Sequence, residues 1–117
     1  MEKALQVLNE IQKSGIIKDY AVGGGIAATY YIEPILTFDL DIFFIPAQER
    51  PDVLSPIYEA LKNRGYKFHK EQIIVEGIPV QFIPVYNELV RDAMENAVEA
   101  KYRKAKTKIF RSEHLLL

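Results

Sequence analysis

Residues 2–14 carry apolar side chains at helical spacing. Leu5, Leu8 and Ile11, with Ala4 and Val7 beside them, oppose polar Glu2, Lys3, Gln6, Asn9, Gln12 and Lys13. The spacing predicts an amphipathic helix, stopped at Ser14-Gly15. Tyr20-Ala21-Val22 then reads as a short strand and Gly23-Gly24-Gly25 as a turn. Ile26 to Ile32 predicts a short helix that ends before Pro34. From Asp39 to Ile45, the residues Leu40, Ile42, Phe43, Phe44 and Ile45 predict a strand buried on both faces, interrupted only by two aspartates. Residues 52–64 predict a second amphipathic helix, with Val53, Leu54, Ile57, Tyr58 and Leu61 inward and a stop at Arg64-Gly65. Lys67 to Val75 and Ile78 to Val85 predict two strands joined by a hairpin turn at Glu76-Gly77. Residues 87–100 predict a helix through Leu89, Val90, Ala93, Met94 and Ala97 or Val98, and Lys106 to Phe110 a final short strand.

This order of elements predicts an α+β (mixed α/β) domain, a small mixed sheet with flanking helices. A length of 117 residues suits one domain with one core. The three leucines at positions 115–117 predict the start of a further helix. That helix either docks on the core, meets a partner subunit or a second copy, or belongs to a longer protein.

Composition changes this picture little. The chain is 49% hydrophobic and 26% charged, as ordinary globular proteins are. A formal net charge of -1 gives no global attraction to nucleic acid or to a membrane, so any such attraction has to be local. There are no cysteines, which excludes disulfides and thiolate metal sites and is compatible with a cytoplasmic location. Met1-Glu2-Lys3-Ala4 is followed by no apolar signal core, and no apolar stretch approaches the roughly 20 residues that span a bilayer. With only two histidines, His69 and His114, a histidine zinc site is not expected.

The candidate chemistry sits at the glycines and the aspartates. In a strand, residues i and i+2 share a face, so Asp39 and Asp41 stand side by side. Two adjacent carboxylates call for a positive charge between them, most often Mg²⁺ held by carboxylates and substrate phosphates. Gly23, Gly24 and Gly25 let backbone N–H groups approach an anion, and a helix starting after them adds its positive end.

Val22-Gly23-Gly24, followed after a helix by Thr37-Phe38-Asp39-Leu40-Asp41, resembles the signature of the DNA polymerase beta superfamily of nucleotidyltransferases. The small bacterial members, toxin-type and antibiotic-modifying, are the most similar, and the resemblance covers residues 1 to about 112. It implies a Mg²⁺-dependent transfer of a nucleoside monophosphate from an NTP to a hydroxyl on RNA, protein or a small molecule. Asp39 and Asp41 are then metal-binding catalytic residues, and Gly23, Gly24 and Gly25 lie against the triphosphate. The family places a third carboxylate on a later strand. Here that strand is Ile78-Pro79-Val80-Gln81-Phe82-Ile83-Pro84, whose only polar side chain is Gln81. A second metal is therefore expected to be weakened, and Glu76 replaces the missing carboxylate only if the hairpin register brings it to the site. Ile35 stands where toxin-type relatives carry an arginine, and Gly25 where a small hydroxyl residue is common.

Plainer readings accompany each of these. The glycines also suit a tight turn, Thr37 a loop cap, His69 the surface, and Tyr30 and Tyr31 the core or its rim. Gln81 also reads as a hydrogen-bond partner of Asp39 or Asp41, or of a helix end. The basic run Lys101-Tyr102-Arg103-Lys104-Ala105-Lys106-Thr107-Lys108 reads first as a solvated face and second as a contact for triphosphate or RNA. Three readings of function follow: a minimal nucleotidyltransferase, a degenerate nucleotide-binding or regulatory partner on the same fold, or a structural domain of a larger nucleotidyltransferase-like protein.

Overall fold

Among the described residues, seven strands form one mixed sheet in the order β3-β4-β5-β2-β1-β7-β6. The computed structural model describes residues 1–23, 39–48, 51–70, 72–111 and 114. The predicted helix at Ile26 to Ile32 and the terminal leucines lie outside the described residues. The strands are β1 (Ile17–Gly23), β2 (Leu40–Pro46), β3 (Lys67–His69), β4 (Gln72–Val75), β5 (Ile78–Pro84), β6 (Val98–Tyr102) and β7 (Ala105–Ile109). The described helices are α1 (Glu2–Lys13), α2 (Ser55–Asn63) and α3 (Glu88–Glu95). The α+β class read from the sequence is therefore the class of the fold, with a larger sheet than expected.

Two helices end in the same way. Gly15 and Gly65 adopt φ 85° and 93°, a region that costs an L side chain energy. At the first, Gly15 N–H donates to Gln12 O at 3.0 Å and Ile16 N–H to Ile11 O at 3.0 Å. At the second, Gly65 N–H donates to Lys62 O at 2.8 Å and Tyr66 N–H to Leu61 O at 3.2 Å. Both pairs are Schellman caps, so both predicted stops are met for the expected reason. α2 begins at Ser55 rather than 52 because Asp52 caps it from outside, accepting from Leu54 N–H at 3.2 Å and Ser55 N–H at 3.0 Å.

Two expectations are corrected. The stretch Lys67 to Val75 is two strands, not one. Lys70 takes φ 59° and reverses the chain, so that Phe68 pairs with Ile73 and His69 with Gln72. The helix over 87–100 stops at Glu95. The Asn96 side chain donates to Asp92 O at 2.8 Å, and the next residues leave as β6. β6 forms a hairpin with β7, pairing Val98 with Ile109 and Tyr102 with Ala105. The basic run is thus the tip and outer strands of that hairpin. Its Tyr102 packs against the core, while Lys108 meets Asp19 at 2.5 Å and the Lys104 backbone N–H donates to Glu2 at 2.8 Å.

Strand alternation divides the core in two. Leu40, Ile42 and Phe44 of β2 point toward α1 and α2, joining Leu5, Leu8, Ile11, Ile57 and Leu61. Phe43 points the other way, into a smaller cluster with Ala21, Phe110 and Val90, Ala93 and Met94 of α3. No described helix is long and apolar enough to cross a membrane.

The two-sided packing explains Gly23. A Cβ there would lie 2.6 and 2.8 Å from ring atoms of Phe43 and 3.1 Å from Phe110. Those rings are buried against each other with centroids 4.8 Å apart, so they have no room to yield. Gly23→Ala is expected to cost about 1–3 kcal/mol, the usual range for forcing extra volume into a packed core. Urea unfolding checks this; an unchanged midpoint would contradict the packing.

Candidate functional site

β2 lies between β1, to which it runs antiparallel, and β5, to which it runs parallel. The register is specific: Asp41 stands opposite Gly23 on one side and opposite Gln81 on the other. Directly opposed residues share a face, so the Gln81 side chain projects beside Asp41. That face is the one bearing Phe43, at the end of the sheet where β1 finishes and β2 begins. Asp39 precedes β2 by one residue and is exposed, whereas Asp41 is half-buried.

The two carboxylates feel each other. The Asp41 carboxyl is raised above the ordinary carboxylate range, first by burial and then by the charge of Asp39. Among the described residues neither aspartate has a Lys or Arg partner. The polar neighbour of Asp39 is Gln72, whose amide donates to Asp39 Oδ2 at 2.9 Å. The sequence suggests Gln81 for that bond. Gln72 stands on β4, across β5 from β2, and a side-chain bond that crosses a strand is not announced by strand pairing alone.

The hairpin register does not bring Glu76 to Asp41. Glu76 sits at the β4–β5 turn with φ 49°, beside Gly77 at φ 80°, and its carboxylate accepts from Tyr66 O–H at 3.2 Å. His69 lies on the exposed edge strand β3, in keeping with its plainer reading. Gly24, Gly25, Tyr30, Tyr31, Ile35, Thr37 and Phe38 lie outside the described residues.

Two neighbouring carboxylates with no Lys or Arg partner among the described residues could hold a hard divalent cation that takes oxygen ligands. Among the described residues no cluster of three His, Cys, Asp or Glu side chains stands ready to hold a metal. Elsewhere, a cleft of about 740 Å³ lies between α1, β1 and the β6–β7 hairpin. A Thr107–Tyr20–Asn9 hydrogen-bond chain runs along it, and burial pushes the Tyr20 phenol up to about 12. Its wall mixes Lys101, Lys106 and Lys108 with Asp19 and Glu99, and Lys108 is paired with Asp19.

The raised Asp41 pKa has a stability consequence. A carboxyl that binds its proton more tightly when folded favours the fold below its unfolded pKa of about 3.9. That contribution disappears as pH rises through the folded value. At neutral pH the charged Asp41 is therefore a cost to the metal-free protein. Asp41→Asn is expected to raise thermal stability at pH 7 by up to about 1 kcal/mol, since solvent screens a half-exposed group. The gain should shrink in acid, where Asp41 is already neutral. Melting curves from pH 3 to pH 8 test this, and a loss at pH 7 would contradict it.

Comparison of the chain with protein-family models and with curated proteins gives no match in either case.

Proposed function

We propose that this chain is a nucleotidyltransferase-like protein that binds an NTP with Mg²⁺ beside Asp39 and Asp41 and transfers its nucleoside monophosphate to a hydroxyl acceptor. The observation that carries the reading is the aspartate couple, without a Lys or Arg partner among the described residues, with Asp41 fixed between Gly23 and Gln81. In the transfer, an acceptor oxygen bonds to the α-phosphorus while the bond to the bridging oxygen breaks. Pyrophosphate leaves with that electron pair, and the hydroxyl proton passes to water. Bound Mg²⁺ supplies neutralisation of the charge that develops on the entering and leaving oxygens. Asp39 and Asp41 would hold and orient it, at the sheet end where Gly23 pairs with Asp41. RNA or a protein is the acceptor class that the family resemblance adds, and a cytoplasmic setting belongs to the same proposal.

Gln81 favours a second reading, in which nucleotide is held without transfer. A carboxamide carries no negative charge and its N–H₂ repels a cation, so it is a poor substitute for a carboxylate. Incubation with each α-labelled NTP, Mg²⁺ and mixed RNA and protein acceptors separates the two. Label entering an acceptor from the wild type but not from Asp41→Ala supports transfer. No label, with Mg²⁺-dependent binding intact, supports the second reading.

A further inference from the structure

β6 is an edge strand: β7 pairs with one of its sides, and no described strand pairs with the other. Hairpin geometry determines which backbone groups face outward. Tyr102 and Ala105 are paired across a two-residue turn, so they must exchange N–H and C=O with each other. Hydrogen-bonded pairs alternate along an antiparallel ladder, so Ala100 and Val98 also direct their backbone groups to β7. The backbone groups of Glu99 and Lys101 therefore point to the open edge. Both residues are exposed, and their side chains project from the face opposite Val98, Ala100 and Tyr102.

We propose that this edge pairs with the same edge of a second copy, antiparallel and about a two-fold axis at Ala100. Outward-facing groups have to meet outward-facing groups, which leaves three symmetric registers. Centring on Glu99 places Glu99 against Glu99 of the second copy, and centring on Lys101 places Lys101 against Lys101. Only the register centred on Ala100 sets Glu99 opposite Lys101, and it does so twice. Like charges directly opposite destabilise a pair and unlike charges stabilise it, so charge selects that register. On the other face it brings Val98 against Tyr102 of the second copy, extending an apolar row already packed on the core. An isologous contact of this kind closes on itself as a dimer and joins the two sheets into one. A pairing of five residues is small, so the dimer is concentration-dependent rather than obligate.

Charge reversal tests the register. Lys101→Glu leaves the fold unharmed, because Lys101 faces Lys106 within the chain and the change relieves that repulsion. Across the axis it sets Glu99 of each copy against the new carboxylate of the other, a like-charge pair made twice. Sedimentation velocity from about 10 to 500 μM should show a wild-type dimer, and weakening by about tenfold in Lys101→Glu. The double variant Glu99→Lys/Lys101→Glu should restore it. Hydrogen exchange supplies an independent readout. Glu99 and Lys101 amides should slow as concentration rises, while Val98, Ala100 and Tyr102 amides, already bonded to β7, should not change. A wild type that stays monomeric throughout overturns the proposal and leaves the edge to a strand of another protein. A dimer indifferent to the reversal, or not rescued by the double change, overturns it as well.

Discussion

Gln81→Asp is expected to raise nucleotidyl transfer at least about tenfold over the wild type. The substitution puts a third carboxylate directly beside Asp41, because the two positions are partners in the parallel β2–β5 ladder. A carboxylate there can share a second cation with Asp41, which a carboxamide does poorly. Two ions that stabilise both the entering and the leaving oxygen act on the barrier itself, and each factor of ten in rate needs only about 1.4 kcal/mol. Without metal, the same change adds a third repelling charge to a half-buried cluster, so the variant should melt lower than the wild type in chelator and recover with Mg²⁺. A comparative rate assay with α-labelled NTP measures the first effect, and melting curves with and without Mg²⁺ the second. A robust wild-type rate that Gln81→Asp lowers would defeat the idea that Gln81 limits the site.

The second large effect is the loss of metal-dependent nucleotide affinity in Asp39→Ala/Asp41→Ala. Groups that merely orient a metal ligand are worth about 10- to 100-fold in affinity, so removing both direct carboxylates should cost about 100-fold or more. The fold should survive, since neither aspartate belongs to the buried core and each carries a repulsion that its removal relieves. Retained stability together with lost binding identifies a site. Loss of both would mean that the aspartates hold the sheet end together.

Much of this arrangement can be read from local chemistry. Gly15 and Gly65 announce their helix ends because only the residue itself is needed to take a positive φ. The alternation along Leu40–Phe44 gives both faces of the central strand, and the Glu76-Gly77 turn sets the β4–β5 pair, so Gln81 can be placed on the strand after that turn. What cannot be read depends on partners distant in sequence or on atypical residues. The β3–β4 turn uses Lys70 at positive φ, where glycine or asparagine would have given warning. β6 is obscured because Ala97 and Val98 continue the helical spacing of residues 87–94. Its own alternation, Val98, Ala100 and Tyr102 against Glu99 and Lys101, is the available signal. Gln72 meets Asp39 by a side-chain bond across β5, which strand pairing alone does not announce. Gly23 suggests phosphate by its type, yet the space it leaves is filled by rings from β2 and from Phe110, far along the chain.

Asp39 and Asp41 are proposed to form a Mg²⁺-dependent nucleotide site. Calorimetric titration of the wild-type protein with each NTP, in Mg²⁺ and again in EDTA, tests it most directly. Saturable heat with at least one NTP in Mg²⁺, absent in EDTA, is the predicted result. No binding in Mg²⁺, or binding that EDTA leaves unchanged, would contradict it.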